Sequence, residues 1–287
     1  MKILYFGVFD GRGWRSEYPM AAALTQQGHQ IYRSNFRSPL PWRIAWDWRR
    51  YGSRCDLVFV QNGIPFSDRN LVLLQAKPLV FLASEFALTS ARHILDGPRR
   101  PDLVLAHSEQ TFRYCQAQGI LARRVHLAYN PSQYRHLELP FLYDVCFIGG
   151  MTPRRREFVE HLRAQGYQVY FEKTGNATKI NRVYNQSRIV LHIHAGEESY
   201  VPTRLFEVMS TQGCLLIEDM GHNFDAALGQ DFFESFSTKS ELVDQVARLL
   251  ADSDLRIQRV QRANALAPVH SWPARMREYA ESFALVL

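Results

Sequence analysis

Short apolar runs alternate along the chain with segments in which apolar residues recur at helical spacing. Runs of this kind, bounded by turn residues, are typical of strands that are buried on both faces. The predicted strands are residues 3–9, 57–61, 79–83, 103–107 and 125–128, and then 143–148, 168–171, 189–194 and 214–218. The predicted helices are residues 17–27, 69–75 and 109–118, and then 155–164, 204–211, 241–251 and 255–266.

This alternation of strand and helix predicts βαβ units built around parallel sheets. The pattern restarts after residues 131–140, which contain two prolines and little periodicity. We therefore expect an α/β protein of two Rossmann-like domains, residues 1–135 and 141–270, facing each other across a cleft. Residues 271–287, with Pro273 in the first turn, predict a final helix that crosses back onto the first domain. The length of 287 residues suits two domains.

Composition narrows the class of protein. With 46% hydrophobic and 22% charged residues the chain can bury a core, which excludes a disordered scaffold. Apolar runs are too short to span a bilayer, and the first one leads into a loop with Asp10 instead of a signal-peptide cleavage site. The 4 cysteines form no C-x-x-C pair, so we expect reduced thiols and a cytoplasmic protein, with contact to the inner face of the membrane left open.

Positive charge is concentrated in the first half of the chain. Residues 1–140 carry 18 Lys and Arg against 10 Asp and Glu, whereas residues 141–287 carry 16 against 18. This imbalance favours an anionic partner for the first domain: an acidic acceptor, a membrane surface or nucleic acid. A solvated basic surface without a partner is an equally good interpretation.

Residues 41–51 interleave tryptophan with arginine. Trp42 and Trp46 are four positions apart and share one face of a helix, with Arg43 and Arg50 nearby. Three interpretations remain open. The segment lies at a lipid interface, stacks on bases or sugars of an acceptor, or packs a long connection against the sheet.

The loop after the first strand is a candidate ligand loop. Gly11 and Gly13 allow a tight turn beside Trp14, and the helix that follows offers free N–H groups to an anion. Position 16 is serine, so the dinucleotide pattern G-x-G-x-x-G is incomplete. We expect an acceptor or phosphate loop here, or a glycine-rich turn without a ligand.

A second candidate is the predicted helix that begins near Thr203. Its first turn and Arg204 suit a diphosphate, and Glu207, three residues on, lies on the same face and can accept hydrogen bonds from vicinal sugar hydroxyls. The alternative is an ordinary surface ion pair.

Four motifs follow one another in the second half of the chain: DVCFIGG at 144–150, SRIVLHIH at 187–194, RLFE at 204–207 and GCLLI at 213–217. Their order and spacing resemble the nucleotide-sugar domain of GT-B glycosyltransferases, most closely the group-1-like subfamily that includes the CgeB type. Residues 102–109 and 128–131 resemble the end of an acceptor domain, so the resemblance covers residues 102–275 well and the rest in outline.

The resemblance implies a glycosyltransferase, of hexosyltransferase class, that takes a sugar from a nucleotide-diphosphate donor without a metal or other cofactor. Glu207 would hold the ribose hydroxyls of the donor and Arg204 its diphosphate. Gly149 and Gly150 would let the phosphates approach the backbone, and Arg154 would add a positive charge. His194, which shares a strand face with His192, is either a further donor contact or a core residue.

Two departures bear on catalysis. The glutamate that many retaining enzymes carry eight positions before the ribose-binding one is replaced by Ser199, and the usual strand asparagine is His192. An inverting enzyme would need a base from the first domain, for which Asp10 and Glu85 are candidates, each equally well explained as a cap or an ion-pair partner.

Asp252-Ser253-Asp254 resembles a D-x-D metal motif but lies between two helices, which predicts a helix N-cap. Two rival functions remain, a non-catalytic binding protein on this fold and a nucleic-acid-binding or -modifying protein that uses the basic first half.

Overall fold

The computed structural model describes residues 1–11, 15–37, 42–62, 66–84, 88–173, 176–194, 201–219, 228 and 231–287. These residues form two compact units, one made of Met1–Leu127 with Trp272–Leu287 and the other of Ala128–Ser271. Each unit contains one parallel sheet with helices, as the alternating pattern predicts.

The first unit is built on six parallel strands in the order β2-β1-β3-β4-β5-β6. The strands are β1 (Lys2–Gly7), β2 (Gln30–Asn35), β3 (Leu57–Gln61), β4 (Leu79–Ala83), β5 (Leu103–Ala106) and β6 (Ala122–Arg124). The helices are α1 (Glu17–Gln26), α2 (Arg43–Tyr51), α3 (Asp68–Leu73), α4 (Leu88–Leu95), α5 (Glu109–Ala117) and α11 (Trp272–Phe283). Strands β3, β4 and β5 are buried along their whole length, which explains their unbroken apolar sequences.

Helix α11 packs on the first unit although it follows the entire second unit in the chain. The Tyr279 hydroxyl donates a hydrogen bond to the His126 carbonyl at 2.7 Å, and the ring of Phe283 lies 5.4 Å from that of Phe59. Trp272, Tyr279 and Phe283 are all buried. The helix is therefore part of the hydrophobic core of this unit.

The second unit has five parallel strands in the order β11-β10-β9-β7-β8. The strands are β7 (Tyr143–Ile148), β8 (Val169–Glu172), β9 (Ser187–His192), β10 (Cys214–Glu218) and β11 (Phe233–Phe236). The helices are α6 (Pro153–Ala164), α7 (Ala177–Asn185), α8 (Thr203–Met209), α9 (Lys239–Ala251) and α10 (Ser253–Leu266). The order of connections reverses between β7 and β9, and open α/β sheets bind ligands at the carboxyl ends of the strands that flank such a reversal.

The predicted strand at residues 125–128 is wrong. The strand is β6, residues Ala122–Arg124, and its sequence Ala-Arg-Arg is polar because it lies at the edge of the sheet. Val125, Leu127 and Ala128 are buried beyond the end of β6, which explains their apolar side chains. Strands β2 and β11 also lie at sheet edges and carry polar residues, and neither was predicted from the sequence.

The predicted linker packs on the second unit. The Arg135 and Leu137 N–H groups donate to the amide oxygens of Asn181 and Asn185 at 3.0 and 2.9 Å, and Tyr134 is buried. The division between the units falls at Leu127, before the predicted end of the first domain at residue 135.

All 4 cysteines are buried free thiols, and burial raises the pKa of Cys115 to about 11. Among the helices that the structure describes, none combines the length and apolar character needed to cross a bilayer.

Candidate functional site

The loop after β7 and the segment after β9 are joined by one buried side chain. Arg155, in the first turn of α6, donates from Nη1 to the Gly150 carbonyl at 2.8 Å. Its Nε and Nη2 donate to the Ile193 carbonyl at 3.0 and 2.8 Å. Arg155 therefore fixes the two chain segments that flank the reversal of strand order, and its guanidinium is committed to the backbone.

A buried carboxylate at the end of β10 organises the neighbouring positions. Both terminal nitrogens of the Arg154 guanidinium, Nη1 and Nη2, donate to Glu218. The Glu218 side chain is only 2% exposed, and Nη1 lies 3.1 Å from its Oε2. The His194 N–H donates to the same Oε2 at 2.9 Å, and Arg154 Nη1 also reaches the His194 carbonyl at 3.3 Å. The positive charge of Arg154, whose side chain is 40% exposed, is thus paired with a buried carboxylate.

Arg204 and Glu207 project from α8 and are linked through a tyrosine. Arg204 Nε donates to the Tyr184 hydroxyl at 2.8 Å, and that hydroxyl lies 3.4 Å from Glu207 Oε2. Tyr134 lies close enough to Glu207 to influence the pKa of that carboxyl group, and the two tyrosine rings stack with centroids 6.2 Å apart. Both tyrosine side chains are buried, whereas Arg204 and Glu207 are partly exposed. A cation and a carboxylate are therefore held side by side with access to solvent.

Burial sets the protonation behaviour of this cluster. It raises the pKa of Glu207, against the opposing effects of Arg204 and the two tyrosine hydroxyls. Burial also raises the pKa of Tyr184 and Tyr134, and the charge of Glu207 adds to the shift in both. For Arg204 burial alone would lower the pKa, but Tyr184 and Glu207 raise it overall. The tyrosines stay protonated and Arg204 stays charged.

The glycine loop approaches this cluster. Gly149 has a φ of +150°, and a β carbon added there would lie 3.5 Å from Arg204 Nη1. Gly150 is exposed, with open space where its β carbon would be. Thr203, the first residue of α8, is partly exposed as well. Gly149, Gly150, Thr203, Arg204 and Glu207 thus border one region at the carboxyl edge of the sheet.

His192 is the last residue of β9 and lies within the same region. It is 4% exposed, and neither ring nitrogen has a hydrogen-bond partner among the described residues. Burial lowers its pKa well below 6.5, and the charges of Arg204 and Arg155 act in the same direction, so the ring is neutral. The ring of His194, also buried, meets it edge-on with centroids 4.9 Å apart.

In the first unit the candidate residues have structural partners. Arg15 Nε donates to Asp10 Oδ2 at 3.1 Å, and Gly11, at a φ of +82°, donates its N–H to the Tyr18 hydroxyl. Buried Glu17 accepts the Val8 N–H at 3.2 Å. These contacts order the loop after β1. Gly13, Trp14 and Glu85 lie outside the described residues, as does Ser199.

Sequence reasoning missed three residues of the second-unit site: Tyr134, Tyr184 and Glu218. Only Glu218 carried a signal, because it ends a predicted strand whose other residues are apolar. The predicted N-cap is confirmed, since Asp252 accepts the Leu255 N–H at 2.8 Å. The described part of the chain contains no group of three or more His, Cys, Asp or Glu side chains placed to hold a metal.

Comparison with known structures identifies the fold. The structure of Anabaena HepE in complex with UDP-glucose aligns with a TM-score of 0.68 at 13% identity, covering 99% of each chain. The GT-B fold is shared. Sucrose-phosphate synthase from Thermosynechococcus elongatus aligns with a TM-score of 0.66 at 12% identity, over 99% of this chain and 98% of the other. A DNA-modifying β-glucosyltransferase aligns at 0.62 and 12%, over 100% of this chain and 99% of the other.

A family model described as glycosyl transferase-like matches residues 154–281. The matched segment begins at Arg154 and includes Arg204, Glu207 and Glu218. No curated protein matches the sequence. The matched segment thus contains most of the site that the geometry assembles, and at these identities the solved structures establish the fold of the chain.

Proposed function

We propose that the protein is a glycosyltransferase of hexosyltransferase class that takes its sugar from a nucleotide-diphosphate donor bound by the second unit. The observation that carries the proposal is the pairing of Arg204 and Glu207 through Tyr184, beside Gly149 at the reversal of strand order. The match of residues 154–281 to the glycosyl transferase-like model supports it.

Each group has a role in binding such a donor. The Arg204 guanidinium neutralises the diphosphate, whose negative charge grows as the sugar leaves, so its contribution rises toward the transition state. The Glu207 carboxylate accepts hydrogen bonds from the ribose hydroxyls. Gly149 and Gly150 allow the phosphates to approach the backbone, and His194 and Thr203 border the same region. Glu218 pairs with Arg154 and holds its partly exposed guanidinium in place, where it can donate a hydrogen bond to a phosphate oxygen.

The finer assignments are part of the same proposal. Similar structures are described in complex with UDP and with UDP-glucose, which favours a uridine nucleotide as the donor. We propose a CgeB-type enzyme that needs no metal and no cofactor, with an anionic acceptor held by the basic first unit. For an inverting reaction Asp10 and Glu85 are the candidate bases.

Thermal unfolding with a panel of nucleotides and nucleotide sugars tests the donor site. A ligand that binds only the folded protein stabilises it by about 2.7 kcal/mol at 100 times its dissociation constant, a shift of about 5–10 °C for a unit of this size. We expect one nucleotide class to give this shift and Glu207→Gln to weaken it strongly. Glu160→Gln, which removes an exposed carboxylate on α6, is the matched control.

The outcomes separate the candidate functions. A shift with one nucleotide class, lost in Glu207→Gln and kept in Glu160→Gln, supports the donor site. Stabilisation by no nucleotide would refute it. Sugar release and transfer are then measured with and without a chelator, on acceptors that include sugars, lipids and DNA. If the protein binds the nucleotide but neither releases nor transfers the sugar under any of these conditions, a non-catalytic binding protein is favoured.

A further inference from the structure

Helix α2 presents two tryptophans to solvent. Trp42, which caps the helix, is 53% exposed, and Trp46, one turn later, is 42% exposed. The opposite face of the helix is anchored, because Ile44 is buried and the ring of Tyr51 stacks on Tyr32 at 4.7 Å. The exposed tryptophans are therefore held on a helix that is fixed to the first unit.

The same face is strongly basic. Arg49 and Arg50 follow the tryptophans at helical spacing and are exposed, as are Arg54 and, on the neighbouring helix α3, Arg69. Asp47 does not offset them, since its buried carboxylate is bound by Ser34 at 2.6 Å and by Arg43 at 2.8 Å.

A groove separates α2 from α3 and continues this surface. It has a volume of about 400 Å³ and is lined by Trp42, Trp48, Arg49, Ser67, Arg69 and Asn70, among others. Its lining thus combines tryptophan rings, arginines and small polar groups. Such a lining suits charged head groups with apolar material beside them.

We propose that this α2–α3 surface docks the protein on an anionic lipid bilayer. Tryptophan prefers the boundary between head groups and acyl chains, and each arginine near an anionic leaflet contributes about 1 kcal/mol. Two exposed tryptophans on one helix face, surrounded by arginines, satisfy both requirements. The proposal concerns the first unit alone and stands whether or not the second unit binds a nucleotide sugar.

The arrangement favours a bilayer over a nucleic acid. Proteins that bind single-stranded nucleic acid let the bases stack on free faces of aromatic side chains. The Trp46 ring is already approached by the guanidinium carbons of Arg43 and Arg50, which lie 5.5 and 5.1 Å from its centroid. A base that stacked on this ring would compete with these two guanidinium groups for it, whereas a place at the head-group boundary needs no such stacking.

Co-sedimentation of the full chain with lipid vesicles tests the proposal. We expect binding to vesicles of phosphatidylcholine mixed with phosphatidylglycerol, little binding to phosphatidylcholine alone, and weakening by salt. Arg49→Gln with Arg50→Gln should lower the affinity about 30-fold, at about 1 kcal/mol per arginine. Trp42→Ser with Trp46→Ser should also lower it, and should do so at high salt as well.

Matched controls come from elsewhere in the first unit. Arg100→Gln with Arg277→Gln removes two exposed arginines, and Leu121→Ser removes an apolar side chain that is 48% exposed. Both should bind the mixed vesicles like the unmodified chain, and all variants should unfold at similar temperatures because the positions are exposed. Equal losses in controls and test variants would show general charge or apolar effects and overturn the proposal.

A direct comparison with nucleic acid completes the test. Binding to a single-stranded oligonucleotide with no binding to mixed vesicles would also overturn the proposal. Vesicle binding that shifts the fluorescence of the chain to shorter wavelength, with the shift reduced in Trp42→Ser with Trp46→Ser, would support it.

Discussion

The hydroxyl of Tyr184 can be removed without changing the shape of the site. Tyr184 is fully buried, so the replacement Tyr184→Phe leaves its ring in the core and takes away one oxygen. That oxygen accepts a hydrogen bond from Arg204 Nε at 2.8 Å and donates a longer, weaker one to Glu207 at 3.4 Å. The main loss is therefore one hydrogen bond from a charged donor.

The expected magnitude follows from that geometry. A hydrogen bond to a charged group contributes about 1.5–3 kcal/mol, and partial exposure of Arg204 favours the lower part of this range. We expect the free energy of unfolding of the second unit to fall by about 2 kcal/mol, or about 4–8 °C in melting temperature. Because Arg204 is then free to move, donor affinity should fall by about tenfold, which corresponds to about 1.4 kcal/mol.

Calorimetric titration with a nucleotide sugar and urea unfolding measure the two effects separately. Tyr170→Phe is the matched control, because Tyr170 donates to Glu172 at 2.9 Å on β8, another tyrosine–glutamate hydrogen bond in the same unit. It should cost some stability and no donor affinity. If Tyr184→Phe bound the donor as tightly as the unmodified protein, Arg204 would not depend on this hydroxyl for its position and the argument would fail.

Three further predictions concern the second unit. Gly213→Ala should destabilise it by about 1–3 kcal/mol in urea unfolding. The added β carbon would lie 2.6 Å from a side-chain carbon of β9 and 2.7 Å from a carbonyl oxygen of α7. Gly150→Ala is the control and should not destabilise the unit, because there is open space around that position. Glu218→Ala should lower the free energy of unfolding by about 1–3 kcal/mol, because a buried N–H loses its acceptor while Arg154 can turn to water; an unchanged midpoint would contradict this. Burial raises the pKa of Glu207, so the carboxylate takes up its proton at a higher pH than an exposed glutamate does. Nucleotide-sugar affinity should therefore decline at pH values still above 4.5. Glu207→Gln should show no such decline.

Four of the seven strands inside the two sheets could be predicted from the sequence to the residue, and the other three were found with shifted bounds. β3, β4, β7 and β10 match their predicted bounds because strands covered on both faces need apolar side chains at nearly every position. Edge strands lack that requirement. β2 has the sequence Gln-Ile-Tyr-Arg-Ser-Asn, in which the polar residues follow no alternating pattern, so it resembles a loop until its neighbour β1 supplies the ladder.

The residues of the candidate site also differ in whether a local sequence pattern could reveal them. Arg204 and Glu207 were visible because they are three positions apart on one short helix. Tyr134 and Tyr184 could not be found, because their role depends on contacts with residues that are distant in sequence and on a segment that had been interpreted as a linker. These contacts form only when segments that are distant in sequence pack together, and no local sequence pattern predicts them.

The return of α11 to the first unit has a consequence for synthesis on the ribosome. Residues Ala128–Ser271 form a continuous stretch and can fold as soon as they emerge, whereas the first unit lacks part of its core until Trp272–Phe283 follow. At about 5–20 residues per second, the first unit waits roughly 10–30 s after its own strands are made. The half of the chain that is translated first is therefore completed last, and its exposed sheet is the surface that a chaperone would have to shield in the meantime.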